Sequence, residues 1–171
     1  GRVVEVLGIA ADTVRALVQF VLTSARKTGE SWPTLAFKES LIAQAQQWGD
    51  THFANSLCRA LRRLGYAARV DLLPDWYGGL TASDDIVIVL RGLSAYKPRP
   101  DRINLMWVIS HPELVTAEEC RQYDHTFVAS EPFAQGLIKA GVPAVSSLLQ
   151  CTDASLFYPD AQRNEVHGEV L

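Results

Sequence analysis

The sequence predicts an α/β domain: a mostly parallel β-sheet with helices on both faces. Three observations carry that expectation. Residues 85–90 (DIVIVL) and 103–109 (INLMWVI) are apolar and rich in β-branched side chains, with little polar alternation, as in strands buried on both faces. Helical patterns with recognisable caps lie between strand-like runs, and strand–helix alternation at these lengths builds parallel sheets. At 171 residues, 48% hydrophobic and 20% charged, the chain suits one globular domain with a sizeable core.

Taken in order, residues 10–28 place Val14, Leu17, Val18, Val21, Leu22 and Ala25 on one face of a helix, with Asp12, Arg15, Gln19, Thr23 and Arg26 mostly opposite. This amphipathic helix is expected to dock on the domain. Peripheral membrane contact or self-association is a second use, disfavoured for a membrane by the few basic residues on the polar face. Gly29 and Pro33 end the pattern. A strand is expected over 34–38. Asp50 then opens a helix bearing Phe53, Ala54, Leu57, Cys58, Leu61 and Leu64, which Gly65 closes. Strands follow near 67–73, 85–90 and 103–109. A short helix over 116–122 starts with a capping box, Thr116 and Glu119. A strand over 125–129, a helix from Ser130 to about Ala140 stopped by Gly141, and a last strand over 143–149 complete the domain.

The net charge of −3, with scattered Lys and Arg, gives no nucleic-acid footprint. The three cysteines lack metal-ligand spacing, and Cys58 lies in an apolar helical pattern, which suits a reduced core thiol and a reducing compartment. Glu5, Asp12 and Arg15 interrupt the N-terminal apolar stretch, so no signal peptide is expected, and no uncharged run approaches a membrane span.

Parallel strands end on one edge, and ligands of such sheets bind in the crevice outside those ends. The residues there are Gly49, Asp50 and His52 after the first strand, Arg91 and Gly92, Ser110 and His111, Ser130, and finally Asp153. Each has a structural alternative. Asp50 suits a helix N-cap, although Gly49 beside a helix N-terminus is also where a phosphate or carboxylate sits. His52 suits a solvated first turn, and Arg91 a surface ion pair. Asp84 and Asp85 resemble a metal pair but fall at a strand entry, on the wrong edge. Asp71 stands where a dinucleotide fold places its ribose-binding acid, but "WGDTHFA" has one glycine where GxGxxG needs three, which rejects that fingerprint. His111 precedes Pro112, which disfavours helical geometry and is expected to hold it extended at a strand exit facing the cleft. An imidazole there serves as a general acid–base group or hydrogen-bonds a ligand; alternatively it bonds a backbone carbonyl at the sheet edge.

Four stretches, "WGDTHFANSLCRALRRLGYAARVDLLPDWY", "DDIVIVLRGLSAYKPRPDRINLMWVISHPELVTAEE", "YDHTFVAS" and "SLLQCTDASLFYP", together resemble bacterial glycosyltransferases of GT-B architecture, of the glycosyl-transferase-family-1 or spore-maturation-protein-like kind. The resemblance spans residues 34–159. It implies a Rossmann-like acceptor-side domain, one half of a GT-B fold, that would work with a nucleotide-sugar donor half without a bound metal or other cofactor. It further implies that His111 faces the reaction centre, with Arg91 supplying charge and Gly49 and Asp50 forming the opposite wall. The expected organisation is an N-terminal helix and linker over 1–33, the Rossmann-like domain over 34–159, and the start of an interdomain linker over 160–171. On this reading the donor half is missing, the isolated chain is inactive, its partners are a sugar acceptor and a nucleotide-sugar, and its place is the cytoplasm. A non-catalytic binding module with the same half fold is the alternative.

Overall fold

The computed structural model describes residues 16–17, 19–20, 23, 34–39, 49–79 and 83–153. Most of the expected N-terminal helix and all of the expected interdomain linker over 160–171 lie outside the described residues. Six strands form one sheet: β1 (Thr34–Glu39), β2 (Ala67–Leu72), β3 (Ile86–Arg91), β4 (Ile103–Val108), β5 (His125–Val128) and β6 (Val145–Ser147). Every pairing is parallel, and the spatial order is β2-β1-β3-β4-β5-β6. Three helices connect them: α1 (Gly49–Arg63), α2 (Ala117–Cys120) and α3 (Glu131–Lys139).

The two faces of the sheet bury different side chains, as the period of two along a strand requires. Ile86, Ile88, Leu90, Leu105, Trp107 and Phe127 meet Ala54, Leu57, Cys58 and Leu61 of α1 on one face. Val87, Val89, Met106, Val108 and Val128 meet Ala134 and Leu137 of α3, with Trp76, Tyr96 and Tyr123, on the other. All six residues of β3 are buried, which is why its sequence shows no alternation. Trp107 is fully buried, and its indole N–H donates to the Leu148 carbonyl at 2.9 Å, so the polar atom of the largest core side chain is satisfied.

The first face also receives residues from the N-terminal segment. Ala16, Leu17, Gln19, Phe20 and Thr23 are helical; Leu17 is fully buried in the α1-side cluster, and the Phe20 ring meets Phe127 edge-on with centroids 5.4 Å apart.

Helix ends follow the sequence signals closely. Gly65, at φ +93°, donates to the Arg62 carbonyl while Tyr66 donates to that of Leu61; Gly141, at φ +76°, donates to Ile138 while Val142 donates to Leu137. Both are Schellman closures, which need a residue free to adopt left-handed geometry, and each is completed by a buried apolar pair, Tyr66 with Leu61 and Val142 with Leu137. Thr116 caps α2 as expected, its hydroxyl accepting from the Glu119 N–H at 3.1 Å. Ser130 occupies the N-cap position of α3 without a side-chain capping bond. Asp50 does not cap α1: the helix begins at Gly49, which places Asp50 inside the first turn.

Charges are buried where the β1–β2 register sets Lys38 opposite Asp71. The Lys38 ammonium, fully enclosed, lies 2.5 Å from Asp71 and 3.7 Å from Asp84. Arg69 pairs with both aspartates, and Arg102 reaches Asp84 at 3.7 Å. Asp71 and Asp84 are thus ion-pair partners inside the domain. Removing one member of such a cluster strands the others without water, which typically costs about 3–5 kcal/mol. Lys38→Met is therefore expected to lower unfolding free energy by roughly that amount in urea titrations, while the reversed-size control Arg59→Met, on the outer surface of α1, changes it little.

Candidate functional site

Carboxyl-terminal strand ends gather three of the expected residues. Asp50 comes from the first turn of α1, after β1, and Ser110 and His111 from the end of β4. β1 and β4 flank β3, and all three strands run in parallel, so the start of α1 and the end of β4 belong to the same edge of the sheet. Burial raises the Asp50 carboxyl above its ordinary value; the positive form of the His111 ring and the Ser110 hydroxyl, both beside it, pull the other way and do not cancel the rise. The Ser110 oxygen is enclosed beside that carboxyl, the described polar group that it faces.

His111 does not take the extended geometry expected of a residue before proline. Its φ and ψ are +49° and +50°, left-handed, and no other non-glycine residue among those described has positive φ. Pro112 excludes the right-handed helical well. The chain must also reverse at once into the 3-10 turn Pro112–Leu114, whose first bond runs from the Leu114 N–H to the His111 carbonyl at 3.0 Å, and the left-handed well achieves that reversal. The conformation costs an L-residue roughly 1–2 kcal/mol, and such strain concentrates at functional positions.

The same turn folds Glu113 back so that its Oε1 lies 3.0 Å from His111 Nδ1. The Glu113 carboxyl is held below its usual range by its own backbone N–H first and by the imidazole second. With Nδ1 donating to Glu113, Nε2 is the nitrogen left to accept a proton. The ring is part-exposed and flanked by two carboxyl groups, an arrangement fit for general base chemistry on a hydroxyl. Glu113 was not among the residues the sequence singled out; the signal is the i+2 spacing across His-Pro-Glu, which brings two side chains together only when the histidine is left-handed.

The remaining expected residues are placed otherwise. Arg91 is buried and engaged, so it does not present a free charge to the crevice: its Nε and Nη2 donate to the two Glu119 oxygens at 2.7 and 3.2 Å, Nη2 also reaches the Leu114 carbonyl at 3.2 Å, and Nη1 bonds the Gly92 carbonyl. Gly92 is buried as part of that clamp. His52 is exposed on α1. Ser130 begins α3, and Asp153 pairs with Arg59 of α1 at 3.0 Å. Gly49 opens α1, directly before Asp50.

Among the described residues, no group of three or more His, Cys, Asp or Glu side chains is arranged to hold a metal ion, and no helix is long and apolar enough to cross a membrane. No protein-family model, curated protein or solved structure matches the chain.

The folded-state pKa of Asp50 lies above its ordinary value of 3.8, so ionisation of this group opposes folding, and its contribution to stability is lost as pH rises from 3.8 through the higher folded value. Asp50→Asn, which keeps the shape and removes the charge, is expected to raise the urea midpoint at pH 7, with the gain shrinking toward acid pH where the wild-type carboxyl is protonated in both states. A variant less stable than wild type at neutral pH would refute the assignment.

Proposed function

We propose that this chain is the acceptor-side domain of a glycosyltransferase that moves a sugar from a nucleotide-sugar to a glycan or similar hydroxyl-bearing acceptor. The observation that carries the reading is the convergence of Asp50, Ser110 and a strained His111 at the carboxyl-terminal edge of a parallel sheet, where open α/β sheets bind ligands. His111 would take the proton from the attacking acceptor hydroxyl as the sugar bond forms, with Glu113 holding its ring, while the nucleoside diphosphate leaves.

Charge favours the acceptor over the donor at this edge. Asp50 and Glu113 flank the ring, and the Arg91 guanidinium is neutralised by Glu119. A pyrophosphate would meet two carboxyl groups there; a neutral, hydroxyl-rich glycan would meet acceptors for its hydroxyls and the enclosed Ser110 hydroxyl. In this reading a second, donor-binding half completes the cleft, because transfer needs both substrates oriented together. Metal-free departure of the leaving group and a cytoplasmic setting belong to the same proposal. A non-catalytic glycan-binding module is the second reading, supported by the same charge pattern.

Radiolabelled nucleotide-sugar transfer separates the two. The chain alone is expected to give no turnover above background. In a chain carrying both halves, His111→Ala is expected to lower turnover about a hundredfold, the scale of a lost acid–base group. Unchanged turnover in that variant would remove His111 from the chemistry, and a two-domain protein that binds glycan without transferring sugar would establish the module instead.

A further inference from the structure

The Arg91 clamp connects three pieces of chain that have no sequence proximity: the end of β3, the turn after His111, and α2. Its geometry is more exacting than a surface ion pair. The guanidinium is almost wholly enclosed and makes paired bonds to the Glu119 carboxylate, and the same group also binds the carbonyls of Leu114 and Gly92. Leu114 is the last residue of the 3-10 turn, and its N–H bonds back to the His111 carbonyl. One end of the strained turn is therefore His111, and the other is fastened to β3 through Arg91. Left-handed backbone persists in a non-glycine residue only when the surroundings over-determine it. The Arg91 contact ties this turn to the sheet from outside the turn itself.

We infer that Arg91 is a positioning residue: together with Glu119 it holds the Pro112–Leu114 turn so that His111 stays left-handed beside Asp50 and Ser110. The guanidinium acts through the turn and touches no substrate. Lysine cannot replace it fully, because a single ammonium cannot make the paired carboxylate bonds and reach both carbonyls. The structural part of this inference stands on the geometry alone; its consequence for turnover rests on the transfer reading above.

Nuclear magnetic resonance on isotope-labelled chain tests it without assuming any activity. Glu119→Gln removes the carboxylate while keeping its shape and the Thr116 cap, which uses the Glu119 backbone. Arg91→Lys removes the fork. Glu118→Gln breaks only the exposed pair with Arg121 on the same helix and serves as the control. The expected result is that Glu119→Gln and Arg91→Lys shift the backbone resonances of residues 111–114 and move the Asp50 carboxyl titration upward, because His111 no longer lies beside it, while the resonances of residues 86–88 and 103–105, at the far ends of β3 and β4, hold. Glu118→Gln should leave all of these in place. If Arg91→Lys fails to fold, Glu119→Gln decides the matter. A folded Glu119→Gln protein with unchanged His111 resonances and an unchanged Asp50 titration overturns the inference.

In a chain carrying both halves, Glu119→Gln is expected to lower kcat roughly tenfold to a hundredfold with KM little changed, the scale of a misplaced catalytic group. Resonance shifts in the variants, with no sugar transfer by the wild-type two-half protein, would leave the clamp standing and the transfer reading refuted. Intact turnover with unmoved resonances would refute the clamp and leave the transfer reading.

Discussion

Strand order dictates where this molecule can bind anything. β1 lies between β2 and β3, so the chain leaves β1 toward one side through α1, crosses back over β1 after β2, and then continues the other way to β6. The first excursion covers one face of the sheet, and the crossing, with Trp76, helps cover the other. The reversal of strand order between β1 and β3 is the place where open α/β sheets form a ligand crevice at their carboxyl-terminal edge. Burial of both faces, the single edge shared by all strand exits and the crevice follow from that one arrangement of parallel strands. The protein places its least relaxed residues at that edge.

Those residues carry local costs that the rest of the domain offsets. His111 holds a left-handed backbone, burial raises the Asp50 carboxyl, and the Ser110 hydroxyl is enclosed beside that carboxyl. Several buried polar groups elsewhere are paired: Lys38 with Asp71 and Asp84, the Trp107 indole with Leu148, and the Asn104 amide with the carbonyls of Arg99 and Arg102. A left-handed residue and a carboxyl raised by burial, together at one edge of the sheet, are the pattern expected of a functional site.

The fold was legible because it depends on period and caps. Unbroken apolar runs identified β3 and β4, and glycines at 65 and 141 marked two helix ends whose left-handed geometry the structure contains. The site was legible only in part. Asp50, Ser110 and His111 could be placed at strand exits by counting, but which exits converge depends on strand order, which a single sequence does not encode locally. For Arg91 the sequence leaves an ion pair and a charge for the crevice both open, and its partner Glu119 is hidden by having a local explanation as the third residue of a capping box; the Glu119 backbone does serve the cap, while its carboxylate turns to β3. His111 was expected to be extended because proline restricts the preceding residue. That rule removes one well, and the following turn chooses among the others. Lys38 gave no signal at all, since a lysine near the end of a strand ordinarily reaches solvent, and only the register against Asp71 encloses it.

The central claim is that Asp50, Ser110 and His111 form one site that accepts a neutral, hydroxyl-rich ligand. Amide resonances of the chain, followed while a panel of neutral oligosaccharides and, separately, a uridine-diphosphate sugar are added, test it most directly. The account predicts that at least one oligosaccharide perturbs residues 50, 110 and 111 together in a saturable way and that the nucleotide-sugar leaves them unmoved. Perturbations centred elsewhere on the sheet, or a nucleotide-sugar saturating these three residues while every oligosaccharide leaves them still, would contradict it.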